Sequence, residues 1–113
     1  MFEKLGQIAS LMKNLPKMQE EMGKLQGRIA QVVADGDAGA GMVKAKVNGH
    51  MEVIACVISD ELMKLNDKEL LEDLVRSAIN QAIQRARQAV AEETSKMASG
   101  LGMALPPGIQ LPT

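Results

Sequence analysis

Between Val32 and Ser59 the chain reads VVADGDAGAGMVKAKVNGHMEVIACVIS, a stretch in which β-branched residues and glycines replace the Met, Gln and Lys that precede it. Val43, Ala45 and Val47 alternate with Lys44, Lys46 and Asn48, the two-residue period of a strand with one covered face. Asn48-Gly49 is a strong hairpin signal because both residue types tolerate positive φ. Glu52 to Ile58 is apolar on both faces, which predicts a strand covered from two sides and a buried, inert Cys56. With a further strand at about residues 30 to 36, the stretch predicts a three-stranded antiparallel meander.

Outward from this segment the period changes. Leu5, Ile8, Met12, Leu15, Met18, Met22, Leu25 and Ile29 recur at intervals of three and four, which is helical. Pro16 lacks an N–H and crowds the preceding turn, so a kink or a restart is expected there. On the other side, Ser59 or Asp60 caps a short turn and Asp67 caps a long helix. The apolar face of that helix is Leu71, Leu74, Val75, Ala78, Ile79, Ala82, Ile83, Ala86 and Val90, and it runs to about Met97. Residues 1–99 read as one α+β domain, and residues 100–113, rich in Gly and Pro, as an extended tail.

A helix from Lys68 to Met97 is about 45 Å long, whereas a compact domain of this size has a radius of gyration of about 13 Å. The helix must overhang the sheet and leave apolar surface uncovered in a monomer, which predicts a homodimer.

Composition narrows the function. The 113 residues carry 13 Lys and Arg against 14 Asp and Glu, so no net positive field draws the chain toward polyanions. Phe2 is the sole aromatic residue, which excludes base-stacking platforms. Cys56 and His50 are single, so neither a zinc cluster nor an internal disulfide can form, and a reducing cytoplasm is the expected compartment. The opening MFEKLGQIASLMK has neither signal-peptide nor membrane-span character. No HExxH, CxxC or GxSxG occurs. Gly36 to Lys44 lacks a GK[ST] and lies between strands, as a β-turn would. No enzyme activity, cofactor, metal or small-molecule substrate is expected.

Charge is nevertheless segregated. Lys13, Lys17, Lys24 and Arg28 fall within about 60° of one another on a continuous helix, with Glu20 and Glu21 spaced to pair with Lys24 and Lys17 respectively. On the second helix no acid lies between Asp73 and Glu92, and Arg76, Asn80, Gln84, Arg87 and Gln88 occupy the face away from the apolar stripe. Such residue types bind phosphate or base edges. Residues 60 to 73 hold six acids against Lys64 and Lys68. The candidate binding set is Lys13, Lys17, Lys24, Arg28, Arg76, Asn80, Gln84 and Arg87. A solvated, ion-paired helix face explains the same pattern without any ligand.

The order LMKNLPKMQEEMGKLQ, GDAGAGMVKAKVNG, IS-DEL, DKELLEDLVRSAINQAIQRA and a PPG-containing tail resembles the YbaB/EbfC family of small bacterial nucleoid-associated proteins. The resemblance implies an α-β-β-β-α protomer, a tweezer-like homodimer with projecting helices, and binding of double-stranded DNA with a role in nucleoid organisation or gene regulation. An adaptor dimer that docks a protein through its apolar helix faces and PPG tail is the alternative.

Overall fold

A computed structural model describes residues 2–100 of the chain; of the expected tail of residues 100–113, Gly100 belongs to the last helix and residues 101–113 lie outside the described residues. The order of elements is α1 (Phe2–Ala30), β1 (Val33–Ala38), β2 (Val43–Asn48), β3 (Val53–Ile58), α2 (Asp60–Lys64) and α3 (Lys68–Gly100). The three strands form one antiparallel sheet in the order β1-β2-β3. This is the expected α+β meander between two long helices.

The core lies between one sheet face and α3. Ala34 of β1 and Val43, Ala45 and Val47 of β2 point inward against Ala78, Ala82 and Ala86, and Leu62 of α2 closes the end. Small residues on both sides let helix and sheet approach closely. At Gly36 a Cβ would collide with the carbonyl oxygen of Ala78 and with Ala82, so hydrogen is the only side chain that fits. Gly36 and the two aspartates of VADGDA are poor strand formers, which is why sequence patterning placed this strand about three residues early.

β1 and β2 join through Gly39, Ala40 and Gly41, three successive positive-φ residues closed by the Met42 N–H donating to the Gly39 carbonyl at 3.2 Å. The β2–β3 connection differs from the expected two-residue Asn-Gly turn. It runs over residues 49–52, and Met51 takes the positive φ. Asn48 holds it: its Oδ1 accepts the N–H groups of His50 and Glu52, both at 3.0 Å. Gly49 serves contact instead of φ, since a Cβ there would strike the carbonyl of Ile29 at the end of α1.

α1 is one helix through Pro16, so of the expected kink or restart the restart does not occur. Pro16 deprives the Met12 carbonyl of its amide partner, but Met12, Leu15 and Pro16 are all exposed, so water can take the vacant acceptor. Both helix caps anticipated for the second half are present. The Ser59 hydroxyl accepts from Leu62 N at 3.2 Å, and the Asp67 carboxylate from Leu70 N at 3.1 Å.

β3 departs most from expectation. It is an edge strand, not a covered one, because α3 lies across β1 and β2 and scarcely reaches it. Val53, Ile54, Cys56 and Val57 are exposed, Val57 to 61%, so the expected buried Cys56 is corrected to an exposed one. The molecule is long, 73 × 26 × 16 Å, with a radius of gyration of 20.6 Å. Along α1, Leu25 is buried while Met12 and Leu15 are 65% and 46% exposed: the helix leaves the core toward its N-terminal half.

Candidate nucleic-acid interface

All eight candidate residues are exposed. They fall into groups with different surroundings. On α1, Lys13, Lys17, Lys24 and Arg28 belong to one unbroken helix, so the stripe predicted from spacing is continuous. Lys24 is partly neutralised. Its Nζ lies 3.5 Å from both Glu20 and Glu21. Glu20 pairs with Lys24 as its spacing predicts, whereas Glu21, expected opposite Lys17, turns to Lys24 instead. Solvent-exposed pairs of this kind contribute little stability, and a phosphate can compete for the lysine.

On α3, Asn80, Gln84 and Arg87 come together. With Ile83, Gln88 and Ala91 they line an open concavity of about 730 Å³ along the outward side of the helix. Arg76 is not part of it: it sits one turn nearer the acidic block and pairs with Asp73 at 3.3 Å. Among the described residues, none of Lys13, Lys17, Lys24 and Arg28 lines this concavity.

The third arginine of α3 has another task. Arg85 turns toward the sheet, and its guanidinium donates to the Asp35 carbonyl at 2.8 Å, fifty residues away in sequence. Gln81, one turn earlier, accepts the Asp37 N–H at 2.7 Å. Helical position alone, some 60° to 100° off the centre of the buried face, was the available signal for both. The acids of residues 60 to 73 also acquire local roles. Asp60 and Glu61 occupy the first turn of α2, Glu69 the first turn of α3, and Asp67 caps α3, all where a helix N-terminus favours negative charge.

Among the described residues no group of three or more His, Cys, Asp or Glu is arranged to hold a metal ion, and no helix is long and apolar enough to cross a membrane. His50 lies exposed in the β2–β3 turn and Cys56 on the exposed β3.

Comparison with known proteins agrees with the architecture. The crystal structure of the uncharacterized protein HP0035 from Helicobacter pylori is similar, with a TM-score of 0.60 and 28% identity over 82% of this chain and 94% of that one. Residues 4–101 match the family model described as the YbaB/EbfC DNA-binding family. Nearly the whole α-β-β-β-α unit is thus accounted for, and the chain belongs to the YbaB/EbfC DNA-binding family.

Proposed function

We propose that this chain is a homodimeric, nucleoid-associated DNA-binding protein that holds duplex DNA chiefly by its phosphates. Lys13, Lys17, Lys24 and Arg28 on α1 and Arg76, Asn80, Gln84 and Arg87 on α3 form the contact set. The observation that carries the reading is the exposed outer side of α3, where Asn80, Gln84 and Arg87 share one concavity in a family described as DNA-binding. Amide side chains and a guanidinium there offer hydrogen-bond donors to phosphate oxygens. The cations are too few on one chain for firm binding, so two chains act together. Exposed Met12, Leu15 and Met22 and the uncovered β3 supply apolar surface for that association. The protein works in the cytoplasm, on the nucleoid, without cofactor, metal, membrane or small-molecule substrate, and performs no catalysis.

A gel-shift titration on unrelated duplexes at two salt concentrations tests this. Engagement of some 5 to 10 phosphates gives a slope of log affinity against log salt of roughly −4 to −9. Absence of any shift at low salt overturns the reading. The same exposed apolar residues of α1 favour one other reading, an adaptor dimer that docks a partner protein. In that case duplex binding is absent and a specific protein is retained.

A further inference from the structure

In the β2–β3 turn every polar group of Asn48 is engaged. Its N–H donates to the Glu52 carbonyl and its carbonyl accepts from the Met51 N–H, both at 3.0 Å. The side-chain Oδ1 accepts the N–H groups of His50 and Glu52, both at 3.0 Å, and Nδ2 donates to the Glu52 carboxylate at 3.4 Å. The next nitrogen in the chain is left out. Among the described residues no backbone carbonyl takes the Gly49 N–H.

Paired N–H donors at this distance from a carbonyl oxygen stabilise the oxyanion of a tetrahedral acyl intermediate. Here the pair from His50 and Glu52 holds the oxygen of the Asn48 side-chain amide. The adjoining nitrogen belongs to a glycine, which places no side chain in the way of an attack on that amide, and the reaction is intramolecular.

We propose that Asn48 is a self-modification site, at which the Gly49 nitrogen displaces ammonia from the Asn48 side chain and so alters the fastening of α1. The Gly49 N–H gives its proton to solvent as the nitrogen bonds to Asn48 Cγ. The electron pair of the C=O bond moves onto Oδ1, held by His50 and Glu52. When that pair returns, the Cγ–Nδ2 bond breaks, and Nδ2 takes a proton from solvent and leaves as ammonia. Water then opens the cyclic imide at either carbonyl, leaving aspartate or isoaspartate at position 48. Nothing is oxidised or reduced.

The fold retains the labile pair for reasons of contact and charge. A Cβ at position 49 would strike the Ile29 carbonyl, so the glycine stays. A carboxylate at position 48 would face that of Glu52, to which the Asn48 amide now donates, so the native turn needs the amide. Both products disturb this arrangement. Aspartate sets like charges together, and isoaspartate adds a methylene to the main chain immediately before Gly49, displacing the glycine from its seat on the last turn of α1. The site is independent of the DNA reading.

Incubation of the purified, folded protein at mildly alkaline pH, followed by trypsin digestion and mass spectrometry, tests the proposal. The peptide of residues 47–64 is expected to gain the mass of an amide-to-acid exchange and to be labelled by isoaspartyl methyltransferase, while Asn14, Asn66 and Asn80 stay intact. Amide hydrogen exchange at Ile29 and Ala30 is expected to quicken several-fold in the aged protein. Asn48→Asp, made directly, is expected to melt a few degrees lower, and Glu52→Gln in the same chain to recover most of the loss. An Asn48 that stays intact in the folded protein overturns the proposal, and its conversion only in urea would mean that the turn protects it. Conversion that leaves hydrogen exchange at the end of α1 unchanged also overturns it.

Discussion

The Gln81 side-chain oxygen accepts the backbone N–H of Asp37 at 2.7 Å, so a helix residue completes the hydrogen bonding of an edge strand. Arg85, one turn along, does the same for the Asp35 carbonyl. Together they seal β1 without a further strand, and they withdraw one arginine of α3 from any role on its outer face.

Replacing Gln81 by Leu leaves the Asp37 amide to solvent and reopens the edge. Unfolding in urea should show a loss of about 1 kcal/mol, and light scattering an increased tendency to associate at high concentration. Gln81→Glu retains an acceptor and should lose less.

Gly36→Ala forces a methyl group into the Ala78 carbonyl and Ala82, and only movement of α3 off the sheet can relieve it. A loss of about 2 to 3 kcal/mol in chemical unfolding is expected. An unchanged midpoint would refute the close approach.

Gly23 and Gly27 on α1 present the opposite case, since an added Cβ at either meets nothing within 4 Å. Gly23→Ala and Gly27→Ala should each stabilise the protein by about 0.4 to 1 kcal/mol, chiefly by restricting the unfolded chain. Thermal unfolding of the double variant reads the sum.

Arg76 and Arg87 should contribute unequally to DNA binding. Arg76 is already paired with Asp73, whereas Arg87 lines the concavity with Asn80 and Gln84. Arg87→Ala removes one phosphate-neutralising charge from each chain and is expected to flatten the salt slope by about 1 for each phosphate released, and Arg76→Ala by less. Lys68→Ala, at a residue paired with Glu72 within the acidic block, serves as the control and should leave the slope unchanged.

Much of this fold is legible in residue spacing. The alternation of Val43, Ala45 and Val47 and the long apolar stripe of α3 carry their periods openly, and Ser59 and Asp67 announce the caps. What was hidden depends on contacts distant in sequence. An apolar run such as VIACVI looks the same at an edge as at a centre, and its exposure follows from α3 crossing the other two strands. Asn48-Gly49 marks a turn, but the glycine answers to the Ile29 carbonyl and not to the local dihedral angle. The division of labour among Arg76, Arg85 and Arg87 became visible only with Asp73 and Asp35 in place.

The contact of Gly49 with the last turn of α1 also has a mechanical consequence. α1 is fastened near that end, at Leu25 and Ile29, and its exposed half extends beyond the core. Lys13 stands sixteen residues from Ile29, about 24 Å along the axis, so a tilt of ~10° at the fastening carries it some ~4 Å. The helix is a lever whose fulcrum is a glycine. On the proposed DNA reading, such a tilt would let the basic stripe of α1 follow phosphate paths of differing groove width.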